Sequence, residues 1–325
     1  MRGAIIVRET GGPEVLEWTE LDPGSPGPDE VLVRHTAVGL NFIDVYHRTG
    51  LYPIDPPFVP GVEAAGVVEA VGREVDDLEP GDRVAYTSNG PVGSYREGRI
   101  LKRRRLWTLP PEIPDDVAAA VMVKGTTVEY LVRRTYPVTE GDTVLLTAAA
   151  GGVGLIACQW LSSLGATVIG TVGSEEKAVL AREHGCDHVI LYREEDIAER
   201  VARITDGRGV DVAFDSVGKS TFSASLDSLK TRGMMVSFGN ASGPVDPVAP
   251  LTLTRKGSLF LTRPTVADYY RSREETEDGI GALFDMIVSG KVTPHVGARH
   301  ALRDAAEAHR ALENRETVGS TVLIV

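Results

Sequence analysis

Cysteine is nearly missing: the 325 residues hold only Cys158 and Cys186. That rules out a disulfide-stapled scaffold. The two could in principle pair, but a reducing cytoplasm is the simpler reading for a chain long enough to bury a core. A long apolar leader is missing too. "MRGAIIVRETGGPE" has a few apolar residues before Arg8 and Glu9, too few for a signal-peptide core or a membrane span, and reads as a first strand. Positive charge is in deficit, with 34 Lys and Arg against 46 Asp and Glu and a formal net charge of −12. A nucleic-acid backbone would bind against that field, so nucleic acid is disfavoured as a partner, and any bound anion needs local donors. The dense basic run "LKRRR" (101–105) reads as a solvated turn and strand edge.

Composition is otherwise ordinary for a globular protein, 42% hydrophobic and 25% charged, and the length suggests two domains. Short apolar, β-rich stretches fill the first third: "EVLVRHTAVGL" (30–40), "GVEAAGVVEAVG" (61–72) and "PGDRVAYT" (80–87). Turn signals rich in Pro and Gly separate them. From about Asp115 strand and helix signals alternate. "DTVLLTAA", "ATVIGTVG", "DHVILYR", "GVDVAFDSVG" and "MMVSFGN" are strands, each of the first four followed by a helix, the last of these helices "KSTFSASLDSLKTRG". Strands apolar on both faces and linked by helices predict a doubly wound parallel sheet, an α/β fold. A late helix, "RDAAEAHRALENRE", and a last strand, "STVLIV", return to the first domain and make it discontinuous.

The first strand-to-helix turn, "TAAAGGVG", places Ala149, Gly151 and Gly154 at the three positions of the G-x-G-x-x-G spacing. Gly151 would let backbone approach a pyrophosphate, and Gly154 would let helix and strand pack closely. Gly152 and Val153, opening the helix, would offer free N–H groups and a positive dipole end. The fingerprint then calls for an acid at the end of the second strand, to bind a ribose hydroxyl. "ATVIGTVGSEEK" has none there. Gly173 and Ser174 leave room and donors for a 2′-phosphate and Lys177 adds charge, which favours NADP(H) over NAD(H). Glu175 or Glu176 could swing toward the ribose and weaken that preference.

The motifs "AVGLNFIDVYHRTGLYP", "PGVEAAGVVEAVG", "KGTTVEYL", "AAAGGVG", "FDSVG", "SFGNASG" and "LTRP" occur in one order along nearly the whole chain. In them the sequence resembles the quinone oxidoreductase (zeta-crystallin-like) branch of the medium-chain dehydrogenase/reductase superfamily. The resemblance implies a GroES-like β-rich catalytic domain over residues 1–124 and 266–325, a Rossmann NADP-binding domain over 125–265, and a cleft between them. Zinc members of that superfamily carry "GHE" and a ligand cysteine in the first domain. Here the motif reads "GVE" (Gly61, Val62, Glu63), the ligand loop "LNFIDVY" has no cysteine, and no four-cysteine cluster exists. A tetrahedral zinc site lacks its ligands, so no metal is expected and alcohol oxidation is disfavoured.

What the resemblance implies instead is NADPH-dependent hydride transfer to a quinone, flavin-free and zinc-free. Asn41, Tyr46 and Tyr52 are implied to line the substrate site, Asn41 and Tyr46 as donors to a quinone oxygen and Tyr52 as a stacking ring. Arg263 and Pro264 approach it from the Rossmann side, while Lys124 and Thr127 lie near the nicotinamide. Tyr192 is implied against the adenine. Ser216, Phe238, Gly239 and Asn240 follow strand ends beside the nicotinamide, and Arg315 reaches the phosphates unless it pairs with Glu313 or Glu316. Each has a plainer reading: half-buried aromatics for Tyr46 and Tyr52, loop support for Asn41, a helix cap for Asp44, a structural ion pair for Arg263. His47 is expected at the surface beside Arg48. Reduction of a C=C bond in enones or alkenals uses the same hydride geometry, and a structural, crystallin-like or AU-rich-RNA-binding role is the alternative from another class. The resemblance also implies a homodimer, through the strand containing "SLFLTRP".

Overall fold

The computed structural model describes residues 1–87 and 91–325. In chain order the first strands are β1 (Arg2–Val7), β2 (Leu16–Leu21), β3 (Glu30–Leu40), β4 (Glu63–Val71), β5 (Arg83–Thr87), β6 (Gly98–Lys102) and β7 (Trp107–Thr108). Helix α1 (Phe42–Thr49) lies between β3 and β4, and α2 (Asp115–Tyr130) follows β7. Then come β8 (Thr143–Leu146), α3 (Gly152–Ser163), β9 (Thr167–Val172), α4 (Glu175–Glu183), β10 (His188–Leu191) and α5 (Ile197–Ile204). They are followed by β11 (Val210–Asp215), α6 (Phe222–Asp227), β12 (Leu229–Ser237), α7 (Pro250–Arg255) and β13 (Phe260–Thr262). Helices α8 (Val266–Tyr269) and α9 (Arg273–Val288) precede β14 (Val296–Ala301), α10 (Ala305–Glu313) and β15 (Ser320–Ile324).

These elements form two compact units, Met1–Lys124 with Pro294–Val325, and Gly125–Thr293. The first is β-rich. Its main sheet runs β14-β15-β3-β4-β5-β7, with β6 also paired to β3 and β1-β2 as a separate antiparallel pair. The C-terminal strand β15 joins it antiparallel to β3, Leu323 opposite Val38, which is how residues near the end of the chain complete the core of Val33, Val38, Leu40, Tyr86 and Leu323. β3 can sit at the centre because most of its residues are buried, and most of those are apolar.

The second unit holds an all-parallel sheet in the order β10-β9-β8-β11-β12-β13. Numbered from β8 that is 3-2-1-4-5-6, the doubly wound order, whose topological switch lies between the ends of β8 and β11. The central strands are apolar on both faces because helices cover both, and every residue of β8 and β11 is buried.

Two expected boundaries move. The fifth strand of this sheet begins at Leu229 rather than Met234, and the preceding helix stops at Asp227. Arg232 in the left-handed region (φ 62°) and a register shift opposite Val210–Val212 let the chain bulge there. The return to the first unit comes at 294, not 266, because polar bonds from α9 and from the residue after α8 hold this segment to the second unit. Tyr270 Oη donates to Glu129 Oε2 at 2.5 Å and lies 3.1 Å from Thr126 O, and Arg134 bonds Asp278 at 2.9 Å.

Candidate active site

In the first unit the candidate residues gather around one buried carboxylate. Glu63, wholly buried at the start of β4, accepts the Asn41 side-chain N–H at 2.7 Å and the Val123 backbone N–H at 2.6 Å. The Lys124 ammonium, also buried, lies 3.3 Å from the same carboxylate and donates to Leu40 O at 3.1 Å. Gly39 is required here: a Cβ on it would stand 2.1 Å from Glu63 Oε1 and 2.2 Å from Ala119 O. Asn41 opens α1, and Asp44 caps it by accepting the Asn41 N–H at 2.9 Å. The α1 backbone continues into Tyr46, whose ring meets that of Tyr52 edge-on at 5.1 Å, while Tyr52 N–H donates to Tyr46 O.

Behind Asp44 a chain of buried polar groups ties α1 to α10. Arg48 holds Glu313 through two bonds of 2.8 and 2.9 Å and donates to His309 Nδ1 at 3.0 Å. With Nδ1 accepting, the neutral imidazole carries its proton on Nε2, 3.0 Å from Tyr95 Oη. Tyr95 in turn donates to Asp44 Oδ2 at 3.2 Å. Burial, with the neighbouring Glu63 charge, pushes the Asp44 carboxyl up to about 7. Burial and the Arg48 cation push His309 down to about 3. Sequence reasoning set His47 at the surface beside Arg48. Both are buried instead, because Arg48 is drawn inward by His309 and Glu313, and burial lowers His47 to about 4.

In the second unit the β8–α3 turn has the expected form. Ala148 is left-handed (φ 54°), and a Cβ on Gly154 would lie 2.3 Å from Ala148 O and 2.5 Å from Ala149 O, so only glycine lets the helix pack onto the strand end. At Gly151 the nearest atom to such a carbon is 3.3 Å away. No side chain caps α3 and no acid stands in its first turn, so the N–H groups at Gly152 and Val153 open a helix suited to a pyrophosphate.

At the end of β9, Gly173 faces Tyr192: a Cβ there would meet the Tyr192 hydroxyl at 2.8 Å. Ser174 caps α4, its oxygen accepting the Lys177 N–H at 3.4 Å. Both nearby acids are engaged. Glu175 pairs with Arg182 at 3.2 Å, and a hydrogen bond from Ser174 holds the Glu176 carboxyl below its ordinary range. Lys177 is half-buried beside them.

The third strand-end cluster is organised by Asp215, which sequence reasoning missed. Wholly buried, it accepts from Val217 N, Gly218 N, Thr221 Oγ1 and Ser225 Oγ at 2.7–2.9 Å. Ser216 N–H donates to Thr147 Oγ1 at 3.0 Å and Phe238 N–H to Asp215 O at 2.8 Å. Gly239 lies so close that a Cβ would be 2.1 Å from Ser216 O, and Arg263 Nη1 donates to Gly239 O at 3.2 Å. The structure thus brings Ser216, Phe238, Gly239 and Arg263 together, with Asn240 next in the chain. Thr127 is half-buried on α2. Arg315 is exposed and left-handed (φ 62°), and Glu313, one of its expected partners, is taken by Arg48.

A GroES-like β-rich unit and a 3-2-1-4-5-6 Rossmann sheet in one chain, with these nucleotide-turn features, define a medium-chain dehydrogenase/reductase. A family model described as "Alcohol dehydrogenase GroES-like domain" matches residues 27–134, and one described as "Zinc-binding dehydrogenase" matches 152–285. The chain is 51% identical to a quinone oxidoreductase of Pseudomonas aeruginosa, over 97% of each chain. It is 46% identical to a 2-haloacrylate reductase of a Burkholderia species, over 99% of this chain and 98% of the relative. Among solved structures, quinone oxidoreductase of Escherichia coli complexed with NADPH superposes with a TM-score of 0.96 at 45% identity, over 99% of this chain and all of that one. The chain belongs to the quinone oxidoreductase family of the medium-chain dehydrogenases/reductases. Although one matching model has zinc in its description, no three His, Cys, Asp or Glu side chains converge as metal ligands among the described residues.

The buried histidines set an acid limit on stability. His35 and His309 at about 3 and His47 at about 4 stay neutral when folded, so their contribution is full above the unfolded value of 6.5 and is lost as pH falls through the folded values. Asp44 acts the other way, losing stability as pH rises from 3.8 to about 7. Unfolding near pH 5 therefore takes up about two protons net at these groups, and stability falls by roughly 3 kcal/mol per pH unit of acidification. Urea unfolding at several pH values measures this slope. In His309→Gln it drops by one proton; an unchanged slope would refute the assignment.

Proposed function

We propose that this chain reduces quinones with NADPH, without zinc or flavin. One observation carries the choice of cofactor: the β9 end has no carboxylate free to face the ribose, since Glu175 and Glu176 are held by Arg182 and Ser174. The residues fit the cofactor. The open start of α3, from Gly151 to Gly154 after Ala149, takes the pyrophosphate; Gly173, Ser174 and Lys177 take the 2′-phosphate. Tyr192 stacks on the adenine, Arg315 adds charge at the phosphates, and Ser216, Phe238, Gly239, Asn240, Thr127 and Lys124 hold the nicotinamide. NADPH supplies a hydride from C4 of that ring.

The quinone's own π-system spreads the arriving charge, so the protein's part is to orient it and to hydrogen-bond the developing oxyanion. Tyr46 and the second amide hydrogen of Asn41 are the donors, Tyr52 packs on the ring, and Arg263 adds positive charge. Fixing Asn41 through Glu63 and Asp44 means that little reorganisation is needed as charge develops. A second reading, reduction of an electron-poor C=C bond, is favoured by the likeness to a 2-haloacrylate reductase.

The protein works in the cytoplasm as a homodimer. Both cysteines are buried thiols, and no helix among the described residues is long and apolar enough to cross a membrane. The edge strand β13 leaves Phe260 58% and Leu261 36% exposed, an unpaired apolar edge that a second copy would cover. Light scattering is expected to give a dimer for the wild type and a monomer for Phe260→Asp; a wild-type monomer refutes this.

The activity is tested by following NADPH and NADH oxidation with a small quinone and a 2-alkenal. Quinone-dependent NADPH oxidation insensitive to chelators is expected, and cofactor binding without turnover of any quinone would overturn the proposal. In Lys177→Glu the KM for NADPH rises about tenfold or more while that for NADH changes little. Equal effects on both would remove the 2′-phosphate assignment.

A further inference from the structure

The basic run that ends at Arg105 is more than a solvated turn. Arg103 pairs with Asp77 at 2.7 Å, but Arg96, Arg99 and Arg105 form no ion pair with any carboxylate among the described residues. Arg96 and Arg99 come together at Gly93. Burial together with the charge of Arg99 lowers the Arg96 pKa, and burial with the charges of Arg104 and Arg99 lowers that of Arg105. The protein as a whole is strongly acidic, yet among the described residues no carboxylate pairs with Arg96 or Arg99.

Arg99 sits on β6 at 9% exposure, its Cζ 5.7 Å from the centre of the Tyr86 ring. Its Nη2 donates to Pro91 O at 2.7 Å and Val92 O at 3.0 Å, while Nη1 is buried with no hydrogen-bond partner. Arg96 Nε is likewise buried and unpartnered. Both groups converge on Gly93. A carbon added to that glycine would stand 3.0 Å from Arg96 Nη2 and 3.4 Å from Arg99 Cζ, so the missing side chain leaves both forks facing one place. Their charge also reaches the buried His35, held neutral at about 3 mainly by burial and then by Arg99 and Arg96.

We propose that Arg96 and Arg99 form an anion site in the first unit that takes a compact dianionic oxyanion, a phosphate or phosphomonoester. Planar guanidinium forks match tetrahedral oxyanions, and two like charges held together by the fold are relieved only by a group of opposite sign. Partial burial favours a small anion over a nucleic-acid strand, which the net charge of −12 also opposes.

The test is calorimetric titration of inorganic phosphate into the full chain at fixed ionic strength, with NADPH saturating so that the cofactor's own phosphate subsites are filled. Saturable binding of about one phosphate per chain is expected, weakened about tenfold or more in Arg96→Gln and in Arg99→Gln, with quinone turnover unchanged. Arg99 also ties the 91–92 backbone, so if Arg99→Gln fails to fold, Arg96→Gln alone decides. Thermal unfolding gives a second readout: Arg96→Gln is at least as stable as the wild type in chloride and gains less from phosphate, because it removes a repulsion. Absence of saturable binding, or binding that survives Arg96→Gln, overturns the proposal. So does tighter binding of a short RNA with a steep salt dependence, which would make the ligand a polyanion.

Discussion

Two of the first unit's candidate residues, Asn41 and Lys124, depend on one buried carboxylate. Glu63 has no contact with solvent, and burying an ion that deeply is costly unless it is paired and hydrogen-bonded. It accepts from an amide, a backbone N–H and an ammonium, from Asn41, Val123 and Lys124. Those partners come from the start of α1 and from α2, so a single charge sets the spacing between two elements and β4. The same constraint explains Gly39, whose missing side chain is the room Glu63 occupies. Lys124 is the buried cation paired with Glu63.

The second unit solves a similar problem with Asp215, whose two oxygens gather backbone and hydroxyl donors from the loop after β11. That loop carries Ser216 and backs onto Gly239, so the carboxylate fixes the shape of the β11 and β12 strand ends. At α3 and β9 the logic is reversed: what matters is that no acid is present or free. An anion is invited where carboxylates are absent or engaged, and rejected elsewhere by a net negative surface.

Much of this was legible in the sequence. Alternating apolar runs and helices from Asp115 onward required a parallel sheet, and Gly154 after a strand required close packing, which the crowding at Ala148 O bears out. The missing acid after "ATVIGTV" was readable directly. What was not legible depends on partners far apart in sequence. Glu63 stands in a motif read for a metal, yet its role follows from Lys124 and Asn41. His309 and Glu313 lie more than 250 residues from Arg48, with nothing local to mark the link that buries His47 and Arg48. The return at 294 was hidden for the same reason, since Tyr270 reveals its unit only through Glu129 and Thr126.

The central claim is that Glu63 holds the substrate-side residues while the second unit holds most of the cofactor independently. Glu63→Gln tests it directly, because the amide keeps the shape but leaves the Lys124 ammonium without its countercharge. Quinone kcat/KM and the NADPH dissociation constant are to be measured on the same sample. A fall in kcat/KM of about tenfold or more is expected, with NADPH affinity within a few-fold of the wild type. Unchanged quinone turnover, or loss of NADPH binding in step with turnover, would contradict it.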